Sequence, residues 1–290
     1  MTDNKKINKI GIVGNGYVGA AIAHGFSSAS TGRCEVKIYD ILPEKSLNTL
    51  DETINDSEFI FVSVPTPMNS NGSISLKYID EAFKNINGVS RNSEHVIILK
   101  STVVPGTTEK LQKKFPGLNI VFSPEFLTEK SSRLDFINQS RVVLGGSDYY
   151  VDEVEGLYRD RFKYCHFIKT DYKTAEMIKY FGNIFFAVKV SFANEMKLLC
   201  DTIGVDWKIA LEGFVADGRV GDSHLNVPGP DGKLGFGGSC FPKDINALMA
   251  FAKNIGVDIH TIEGAWKTNL NVRPEEDWKG LKGRAVVDDE

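Results

Sequence analysis

The residue most suited to covalent chemistry is Cys240, in the segment Gly235-Phe-Gly-Gly-Ser-Cys-Phe-Pro-Lys-Asp244. Pro242 favours the first turn of a helix, so Cys240 is predicted to lie just before a helix N-terminus, with Lys243 close by. Both features stabilise a thiolate, which is the nucleophilic form of cysteine. The glycines allow a bulky substrate to approach the backbone. This segment therefore predicts a cysteine nucleophile.

Lys179 and Asn183 form a second group that could do chemistry. They are four residues apart and share one face of a predicted helix, with Asn183 inside the apolar run Phe181-Gly-Asn-Ile-Phe-Phe186. A polar amide there needs a hydrogen-bond partner. A lysine and an amide directed at one point would stabilise a developing alkoxide. Taken without the cysteine segment, a solvated lysine and a structurally satisfied asparagine explain the pair equally well.

A glycine pattern near the start of the chain indicates a dinucleotide site. The apolar run 9–14 leads into Gly14-Asn-Gly16-Tyr-Val-Gly19, and Asp40 closes the next apolar run. Gly14 permits a tight turn, Gly16 lets the backbone approach a pyrophosphate, and Gly19 allows close packing of helix on strand. Asp40 can accept hydrogen bonds from ribose hydroxyls and would repel a 2′-phosphate, which favours NAD over NADP. A glycine turn that binds no dinucleotide is the alternative.

The elements that must position these residues form two patterns. In the first half, helical segments alternate with six predicted strands, at residues 9–14, 35–40, 59–64, 95–100, 119–123 and 141–144. Apolar runs such as 60–64 and 96–99 indicate strands that are covered on both faces. The pattern predicts an α/β fold for residues 1–170, with a Rossmann-like, doubly wound parallel sheet.

The second half begins with one long amphipathic helix. Apolar residues at spacings of three or four predict it over residues 171–203, a length of about 50 Å. We expect it to link domains and to carry a dimer contact, although a core helix of one subunit gives the same periodicity. The glycine-rich stretch 213–238 is predicted to be a functional loop, and helices are predicted over 242–255 and 258–270. Residues 171–272 are thus assigned to a smaller all-helical dimerisation and substrate domain, and 273–290 to a charged, solvated tail.

Composition excludes several classes of protein. The 290 residues include 34 Lys and Arg against 38 Asp and Glu, a net charge of -4 without a basic run, so neither nucleic acid nor a membrane surface is an expected partner. The polar start lacks a signal peptide and no apolar run is long enough to span a bilayer, which predicts a cytoplasmic protein. The other three cysteines are interpreted as small buried residues, and no metal site is predicted.

Together, these residues resemble the UDP-glucose 6-dehydrogenase family of nucleotide-sugar dehydrogenases. Eight segments, in order between about residues 9 and 270, carry the resemblance: Gly14-Asn-Gly-Tyr-Val-Gly19, Val64-Pro-Thr-Pro67, Lys100-Ser-Thr-Val-Val-Pro-Gly-Thr-Thr108, Ser123-Pro-Glu-Phe-Leu-Thr-Glu129, Ala175-Glu-Met-Ile-Lys-Tyr-Phe-Gly-Asn183, Asn194-Glu195, Gly218-Arg-Val-Gly221 and Gly235-Phe-Gly-Gly-Ser-Cys-Phe-Pro-Lys-Asp244.

The resemblance implies a four-electron oxidation of the sugar C6 alcohol of UDP-glucose to a carboxylate, with two NAD. Cys240 would capture the aldehyde as a thiohemiacetal, which a second hydride transfer converts to a thioester. Lys179 and Asn183 would stabilise the oxyanions. The resemblance also implies that Thr102, Glu129 and Asp244 position or activate a water molecule. Glu129 would in addition be a candidate base for thioester hydrolysis. Glu125 would support these three residues.

The resemblance also implies binding residues and a homodimer. The implied cofactor contacts are Gly14, Gly16, Tyr17, Val18, Gly19, Asp40, Pro65, Thr66, Ser101, Thr102 and Glu129. The implied substrate contacts are Glu125, Phe126, Leu127, Lys179, Asn183, Arg219, Phe236, Gly237, Gly238 and Cys240. Arg219 would reach the substrate from the neighbouring subunit, so the dimer would form part of the active site.

The sequence departs from the family pattern in length. Family members typically continue for a hundred or more residues into a second Rossmann-like domain that helps to hold UDP, whereas this sequence stops at Glu290. A compact form without that domain is therefore expected, and a natural compact variant and a fragment of a longer protein would give the same sequence pattern. The segment 41–58 is shorter than usual, and 221–234 is longer than the usual connection and could alter substrate choice.

Three other functions stay open at this point. One keeps the chemistry but changes the substrate to GDP-mannose or a UDP-N-acetylhexosamine. Another is an inert NAD-binding or oligomeric partner, against which the presence of Cys240, Lys179 and Asn183 argues. The third is a simple β-hydroxyacid dehydrogenase, a class that shares the plan of Rossmann domain and long helix but uses no cysteine nucleophile.

Overall fold

The computed structural model describes residues 7–27 and 34–287. The polar start at residues 1–6 and the last residues of the predicted tail, 288–290, lie outside them. The chain divides into two compact units. The first unit comprises the chain up to Thr66 together with Leu76–Lys179, and the second unit comprises Pro67–Ser75 and the chain from Tyr180 onward. The predicted domain boundaries at 170 and 272 stay a prediction.

The first unit is built on a seven-stranded sheet with the order β2-β1-β3-β4-β5-β6-β7. Strands β1 to β5 are mutually parallel, β6 is antiparallel to β5, and β7 is parallel to β6. The strand order reverses between β1 and β3, which is the topological switch point where open α/β sheets bind ligands. The strands are β1 (Asn8–Val13), β2 (Cys34–Tyr39), β3 (Phe59–Val62), β4 (Val96–Leu99), β5 (Asn119–Phe122), β6 (Arg141–Gly145) and β7 (His166–Thr170).

Ten α-helices lie within the described ranges. They are α1 (Tyr17–Phe26), α2 (Leu50–Asn55), α3 (Lys77–Val89), α4 (Thr107–Lys114), α5 (Ser132–Ile137), α6 (Asp148–Arg161), α7 (Tyr172–Ile203), α8 (Trp207–Val215), α9 (Phe241–Asn254) and α10 (His260–Val272). In the described part of the chain, none of these helices is both long and apolar enough to cross a membrane.

Successive side chains along each strand point to opposite faces of the sheet, so the core is divided between the two faces. Ile10 and Ile12 pack in one buried cluster, whereas Ile60 and Val62 of the neighbouring strand pack in the other. Burying an aliphatic or aromatic side chain of this size contributes about 1.5–3 kcal/mol. Because both faces are covered, the strands are apolar almost throughout, and the predicted α/β Rossmann-like fold is confirmed.

The long helix predicted over residues 171–203 is α7, whose residues up to Lys179 belong to the first unit. Glu176, which is fully buried, joins it to the start of α4. Its carboxylate accepts hydrogen bonds from the N–H groups of Gly106 at 2.5 Å and Thr108 at 2.7 Å, and from the Thr108 hydroxyl at 2.7 Å. Burial raises the pKa of Glu176, which these hydrogen bonds oppose.

In the second unit, the segment predicted as a solvated tail is folded as far as residue 287. Trp278 is buried in a short 3-10 helix, Asp277–Gly280, and its ring centroid lies 5.3 Å from that of Trp266. Farther along, Met68 donates its N–H to Ala285 O at 2.9 Å and accepts from Val287 N at 3.0 Å. The expectation of solvation was wrong for this part because it weighed the charged residues and not the apolar ones between them.

Two elements were not predicted from the sequence. Strand β7 lies at the sheet edge, so its side chains are exposed or half-buried and lack a strong apolar pattern. Helix α8 begins after Asp206, whose carboxylate accepts hydrogen bonds from Lys208 N at 2.8 Å and Ile209 N at 3.3 Å. An aspartate directly before an apolar helical run is an N-cap signal that could have located this helix.

Candidate active site

The glycine loop after β1 is fixed by close backbone contacts. Gly14 has φ +95°, and a Cβ there would lie 2.6 Å from Ser63 O. Ser63 donates from its hydroxyl to Gly14 O at 2.8 Å. A Cβ on Gly19 would lie 2.0 Å from Gly14 O, so a side chain at either glycine would displace the loop. The loop therefore occupies the carboxyl ends of β1 and β3, at the switch point of the sheet.

Asp40 is tied to this loop from the end of β2. Its carboxylate accepts hydrogen bonds from Asn15 N at 2.6 Å and from Leu42 N at 2.9 Å. Asn15 also donates from its side chain to Lys45 O at 2.8 Å. The acidic group predicted to bind a ribose is thus held beside the glycine loop.

The geometry fits the pyrophosphate of a dinucleotide. Gly16 is exposed, and a Cβ there would meet no atom within 4 Å, so the backbone is open to a ligand. Helix α1 begins at Tyr17 with no side chain capping its first turn. Its first N–H groups lack partners within the helix and, with the helix dipole, favour an anion.

The other predicted cofactor residues follow strands β3 and β4. Thr66 is buried and Pro65 is exposed. Ser101 donates from its hydroxyl to Val64 O at 2.7 Å, which joins the two strand ends, and Thr102 beside it is buried. Glu129 begins a short 3-10 helix and is exposed.

A buried ion pair links the loop after β5 to α7. Lys179 and Glu125 have side chains only 4% and 8% exposed, and Lys179 Nζ lies 3.2 Å from Glu125 Oε1. The other carboxylate oxygen accepts from Leu127 N at 2.5 Å, and the Lys179 ammonium lies 5.5 Å from the centre of the Phe126 ring. Glu125, Phe126, Leu127 and Lys179, all predicted as site residues, are therefore brought together.

Lys100 is a further buried cation, to which the sequence analysis gave no role. It follows β4 and donates to Ser123 Oγ at 3.1 Å, Pro124 O at 3.2 Å and Tyr158 Oη at 3.4 Å. Burial lowers the pKa of its amine to about 7, an effect that Glu125 opposes and Lys179 reinforces. A lysine directly after an apolar strand gives no local sign that its amine is buried.

A cavity of about 240 Å³ lies in the first unit. Its lining includes Val18 of α1, Lys100, and the consecutive residues Glu125, Phe126 and Leu127. One cofactor residue and three substrate residues predicted from the sequence thus border the same space. In the described ranges, no three His, Cys, Asp or Glu side chains are grouped so as to hold a metal ion.

In the second unit, Cys240 is the N-cap residue of α9, and Pro242 lies in the first turn. Asp244 donates its backbone N–H to Cys240 O at 2.9 Å, so these two residues are one helical turn apart. The Ser239 hydroxyl lies 3.8 Å from Cys240 Sγ. The thiol therefore lies directly before the first turn of α9.

The carboxylate of Asp244 is buried and shared by two partners. Asn183 donates from its amide to Asp244 Oδ2 at 2.6 Å, and Lys243 donates from its ammonium to Asp244 Oδ1. Asp244 is 1% exposed. The hydrogen-bond partner of the half-buried Asn183 is thus a carboxylate one turn after the cysteine.

Two buried asparagines hold the glycine-rich loop before Cys240. Asn194 Oδ1 accepts from Gly235 N at 3.1 Å. Asn269 accepts from Phe236 N at 2.7 Å and donates to Phe236 O at 3.0 Å. The predicted substrate residue Phe236 is buried, Gly237 is half-buried and Gly238 is exposed. Asn269 was missed because no local pattern connects it with a loop so far away in sequence.

Arg219 lies on the surface, in the loop after α8. Its side chain is 89% exposed and forms an ion pair with Asp217 at 2.5 Å. The pair is local, and it holds the guanidinium close to the backbone of the same turn.

The switch-point loop and the sheet define a dinucleotide-binding protein of the Rossmann type. Comparison with protein families is more specific. The NAD binding domain of the UDP-glucose/GDP-mannose dehydrogenase family matches residues 44–161, and the central domain of the same family matches residues 173–271. Together these matches cover more than half of the chain, which therefore belongs to the UDP-glucose/GDP-mannose dehydrogenase family. The resemblance identified from the eight segments is confirmed.

Individual relatives agree with this assignment. The chain is 33% identical over 303 residues to UDP-glucose 6-dehydrogenase TuaD of Bacillus subtilis, covering 92% of this chain and 64% of the relative. A UDP-glucose dehydrogenase structure from Pyrobaculum islandicum matches with a TM-score of 0.81 and 27% identity, over 93% of this chain and 70% of that one. A UDP-D-ManNAc dehydrogenase from Pyrococcus horikoshii matches with a TM-score of 0.78 and 25% identity, over 91% and 68%. The chain spans about half to two thirds of the length of the first curated relatives it matches.

Proposed function

We propose that this chain oxidises UDP-glucose to UDP-glucuronate in two NAD-dependent steps, through a covalent intermediate on Cys240. The observation that carries the proposal is the position of the thiol at the start of α9, one turn before a buried carboxylate that Asn183 and Lys243 hold. A simple alcohol dehydrogenation needs no such nucleophile. A four-electron oxidation does, because the thiol captures the aldehyde and divides the reaction into two easier steps.

The glycine loop would hold the cofactor. Gly14, Gly16 and Gly19, with the first N–H groups of α1 at Tyr17 and Val18, would bind the pyrophosphate. Asp40 would accept hydrogen bonds from the adenosine ribose, and its charge favours NAD over NADP. The remaining residues proposed to border the cofactor are Pro65, Thr66, Ser101, Thr102 and Glu129. When bound, NAD accepts the hydride from C6 in each oxidation.

Cys240 would form and break one bond to C6. Loss of a hydride and the hydroxyl proton converts the C6 alcohol to an aldehyde. The thiolate adds to the aldehyde carbon and gives a thiohemiacetal, whose oxygen carries the charge until it is protonated. Loss of the hydroxyl proton and of the second hydride then yields a thioester and restores the carbonyl. Water attacks this carbonyl as it gives up a proton to the proposed base Glu129, and the tetrahedral intermediate expels the Cys240 thiolate, which breaks the C–S bond and releases the carboxylate.

Charge develops on the C6 oxygen in several of these steps. We assign its stabilisation to Lys179 and Asn183, which are one turn apart on α7 and so share a face. Glu125 orients Lys179 through the buried ion pair, and Asp244 orients Asn183. Thr102, Glu129 and Asp244 are proposed to position or activate water, with Glu129 as the base for thioester hydrolysis.

Recognition of the sugar nucleotide is assigned to two backbone segments and one arginine. Phe126 and Leu127 would contribute from the loop after β5, and Phe236, Gly237 and Gly238 from the loop before Cys240. Arg219 would act across a homodimer, which its exposed position permits. An exposed apolar stripe along α7 supports such a dimer and consists of Phe181, Phe185, Phe192, Met196, Leu199 and Ile203.

A second candidate keeps the mechanism and changes the sugar. The relative from Pyrococcus horikoshii is a UDP-D-ManNAc dehydrogenase, and its identity of 25% is close to the 27% of the UDP-glucose enzyme structure. The longer connection 221–234, which precedes the loop assigned to the substrate, gives this chain its own means of changing substrate choice. GDP-mannose and UDP-N-acetylhexosamines therefore belong in the same test.

The experiment counts NADH per sugar consumed, with UDP-glucose and the other nucleotide sugars, and with NADP replacing NAD. We expect two NADH per UDP-glucose, UDP-glucuronate as product, and loss of turnover by at least about a thousandfold in Cys240→Ala. Cys165→Ala is the matched control and should leave the rate unchanged, because this half-buried thiol is in the turn before β7. One NADH per sugar, or full activity of Cys240→Ala, would contradict the cysteine mechanism. NAD binding without turnover on any sugar would favour an inert partner.

A further inference from the structure

The connection 221–234, which the resemblance predicts to be longer than usual and which is named the lengthened connection, is tied to the C-terminal segment by one buried arginine. Arg273 follows α10 and is 2% exposed. Its guanidinium donates to Asp231 Oδ2 at 2.8 Å, to Leu234 O at 3.3 Å, and to both carboxylate oxygens of Asp277, at 2.6 and 3.0 Å. Asp231 and Leu234 belong to the lengthened connection, and Asp277 opens the short 3-10 helix after α10. Two parts of the chain, this connection and the segment 273–277, therefore meet at one side chain.

The same guanidinium lies against the loop assigned to the substrate. A Cβ on Gly237 would lie 2.6 Å from an Arg273 nitrogen and 2.8 Å from an Asp277 oxygen, so the glycine backbone rests directly on this ion pair. Gly235 has φ +65°, and a Cβ there would lie 2.4 Å from Asn269 Oδ1. The loop thus has no room to move toward Arg273 or Asn269.

Lys233 adds a second, more exposed group of ion pairs beside Arg273. Lys233 lies 3.1 Å from both Glu275 and Asp277, and so it joins the lengthened connection to the same segment a second time. Hydrogen bonds from Arg273 lower the pKa of Asp277 to about 2, against the opposing effect of its partial burial, and Lys233 adds to the lowering. The cluster is therefore fully ionised at neutral pH.

We propose that Arg273 is a positioning residue for the nucleotide sugar, and that the connection 221–234 acts through it to hold Gly235–Gly238 in place. This inference rests on the proposed function, because it takes the backbone of that loop as a substrate contact. The side chains that hold the loop in this way, Arg273 and its carboxylate partners, lie outside the glycine motif. A nucleotide sugar would bind to a loop that is already ordered, which lowers the entropic cost of binding.

The expected signature is a change in KM for one substrate. Asp231→Asn removes a charged acceptor from Arg273 at a partly exposed position, so the fold should persist. We expect KM for UDP-glucose to rise about fivefold, with kcat and KM for NAD within about twofold of wild type. Asp277→Asn should act in the same direction. Asp231→Glu keeps the charge and should restore most of the lost affinity.

Asp222→Asn is the matched control. Asp222 is an exposed aspartate in the same connection, and it forms no ion pair within the described residues. Amide hydrogen exchange on each variant measures the loop without reference to turnover. Faster exchange over 234–240 in Asp231→Asn, and not in Asp222→Asn, is expected.

The two measurements separate the inference from the proposed function. If wild-type protein forms no NADH with any nucleotide sugar, the proposed function fails, while hydrogen exchange still reports whether Arg273 orders the loop. If turnover is present but Asp231→Asn matches Asp222→Asn in both KM and exchange, the positioning role is wrong. A fall in melting temperature with no change in KM for the sugar would reduce Arg273 to a structural residue and overturn the proposal.

Discussion

The protein contains two glycine loops that are held in different ways. The loop Gly14–Gly19 is fixed by contacts among its own backbone and the adjacent strand end, with Gly19 against Gly14 and Gly14 against Ser63. The loop Gly235–Gly238 is fixed by side chains from distant helices, Asn194 of α7 and Asn269 of α10, and Gly237 lies against Arg273. The first loop needs glycines at the right spacing and two side chains at adjacent strand ends, Ser63 and Asp40. The second also needs a folded surrounding, so its shape depends on the stability of the whole second unit.

The largest effect should come from adding one methyl group to the first loop. Gly19→Ala places a Cβ 2.0 Å from Gly14 O, a contact that only displacement of the loop relieves. We expect NAD affinity to fall at least about 100-fold, as measured by calorimetric titration. Gly156→Ala, in the middle of α6 with no atom within 4 Å of the new Cβ, is the control and should stabilise the fold by about 0.5–1 kcal/mol. Unchanged NAD binding in Gly19→Ala would mean that this loop is not the cofactor site.

Removal of the Asn269 side chain, which holds the second loop, should lower the free energy of unfolding. Asn269→Ala leaves the buried N–H and C=O of Phe236 without their partner, at a cost of about 2–4 kcal/mol. Urea unfolding measures this loss, and Asn226→Ala, at an exposed position of the preceding connection, should be nearly neutral. An equally small effect for Asn269→Ala would remove the contrast between the two loops.

Lys100 tests whether the first unit also depends on distant side chains. The pKa of its amine is about 7 in the folded protein against an ordinary value of 10.5, so between these values the unfolded chain binds more protons. The stability of the wild type should therefore rise with pH from 7 toward 10 relative to Lys100→Met, by roughly 3 kcal/mol. Thermal unfolding of both proteins across this range measures the difference. Parallel pH profiles would show that Lys100 is not the group responsible.

The difference between the two loops explains which features could be predicted from the sequence. The glycine loop, the helix start after Cys240 and the long helix α7 all depend on residues close in sequence, and the structure has each of these elements where they were predicted. Asn269 and Arg273 act on a loop more than thirty positions away, and no period or spacing records such a contact.

The apparent tail illustrates the same limit. Composition over 273–290 is dominated by charged residues, yet Arg273 and Asp277 pair with each other and Trp278 is buried. Lys100 was likewise overlooked, since an apolar strand that ends in lysine gives no sign that the amine turns inward. Burial of charge depends on partners from other segments, and only the folded chain brings them together.

The pairing of Met68 with Ala285 and Val287 has a consequence for biosynthesis. Residues Pro67–Ser75 leave the ribosome between parts of the chain that form the first unit, but Met68 finds these two partners only when residues 285–287 have been translated. Most of the sheet can assemble before that point, whereas the backbone of Met68 stays hydrated until then. The sequence of Pro67–Ser75 is accordingly polar, Pro-Met-Asn-Ser-Asn-Gly-Ser-Ile-Ser, and exposes little that a chaperone or a second nascent chain would bind.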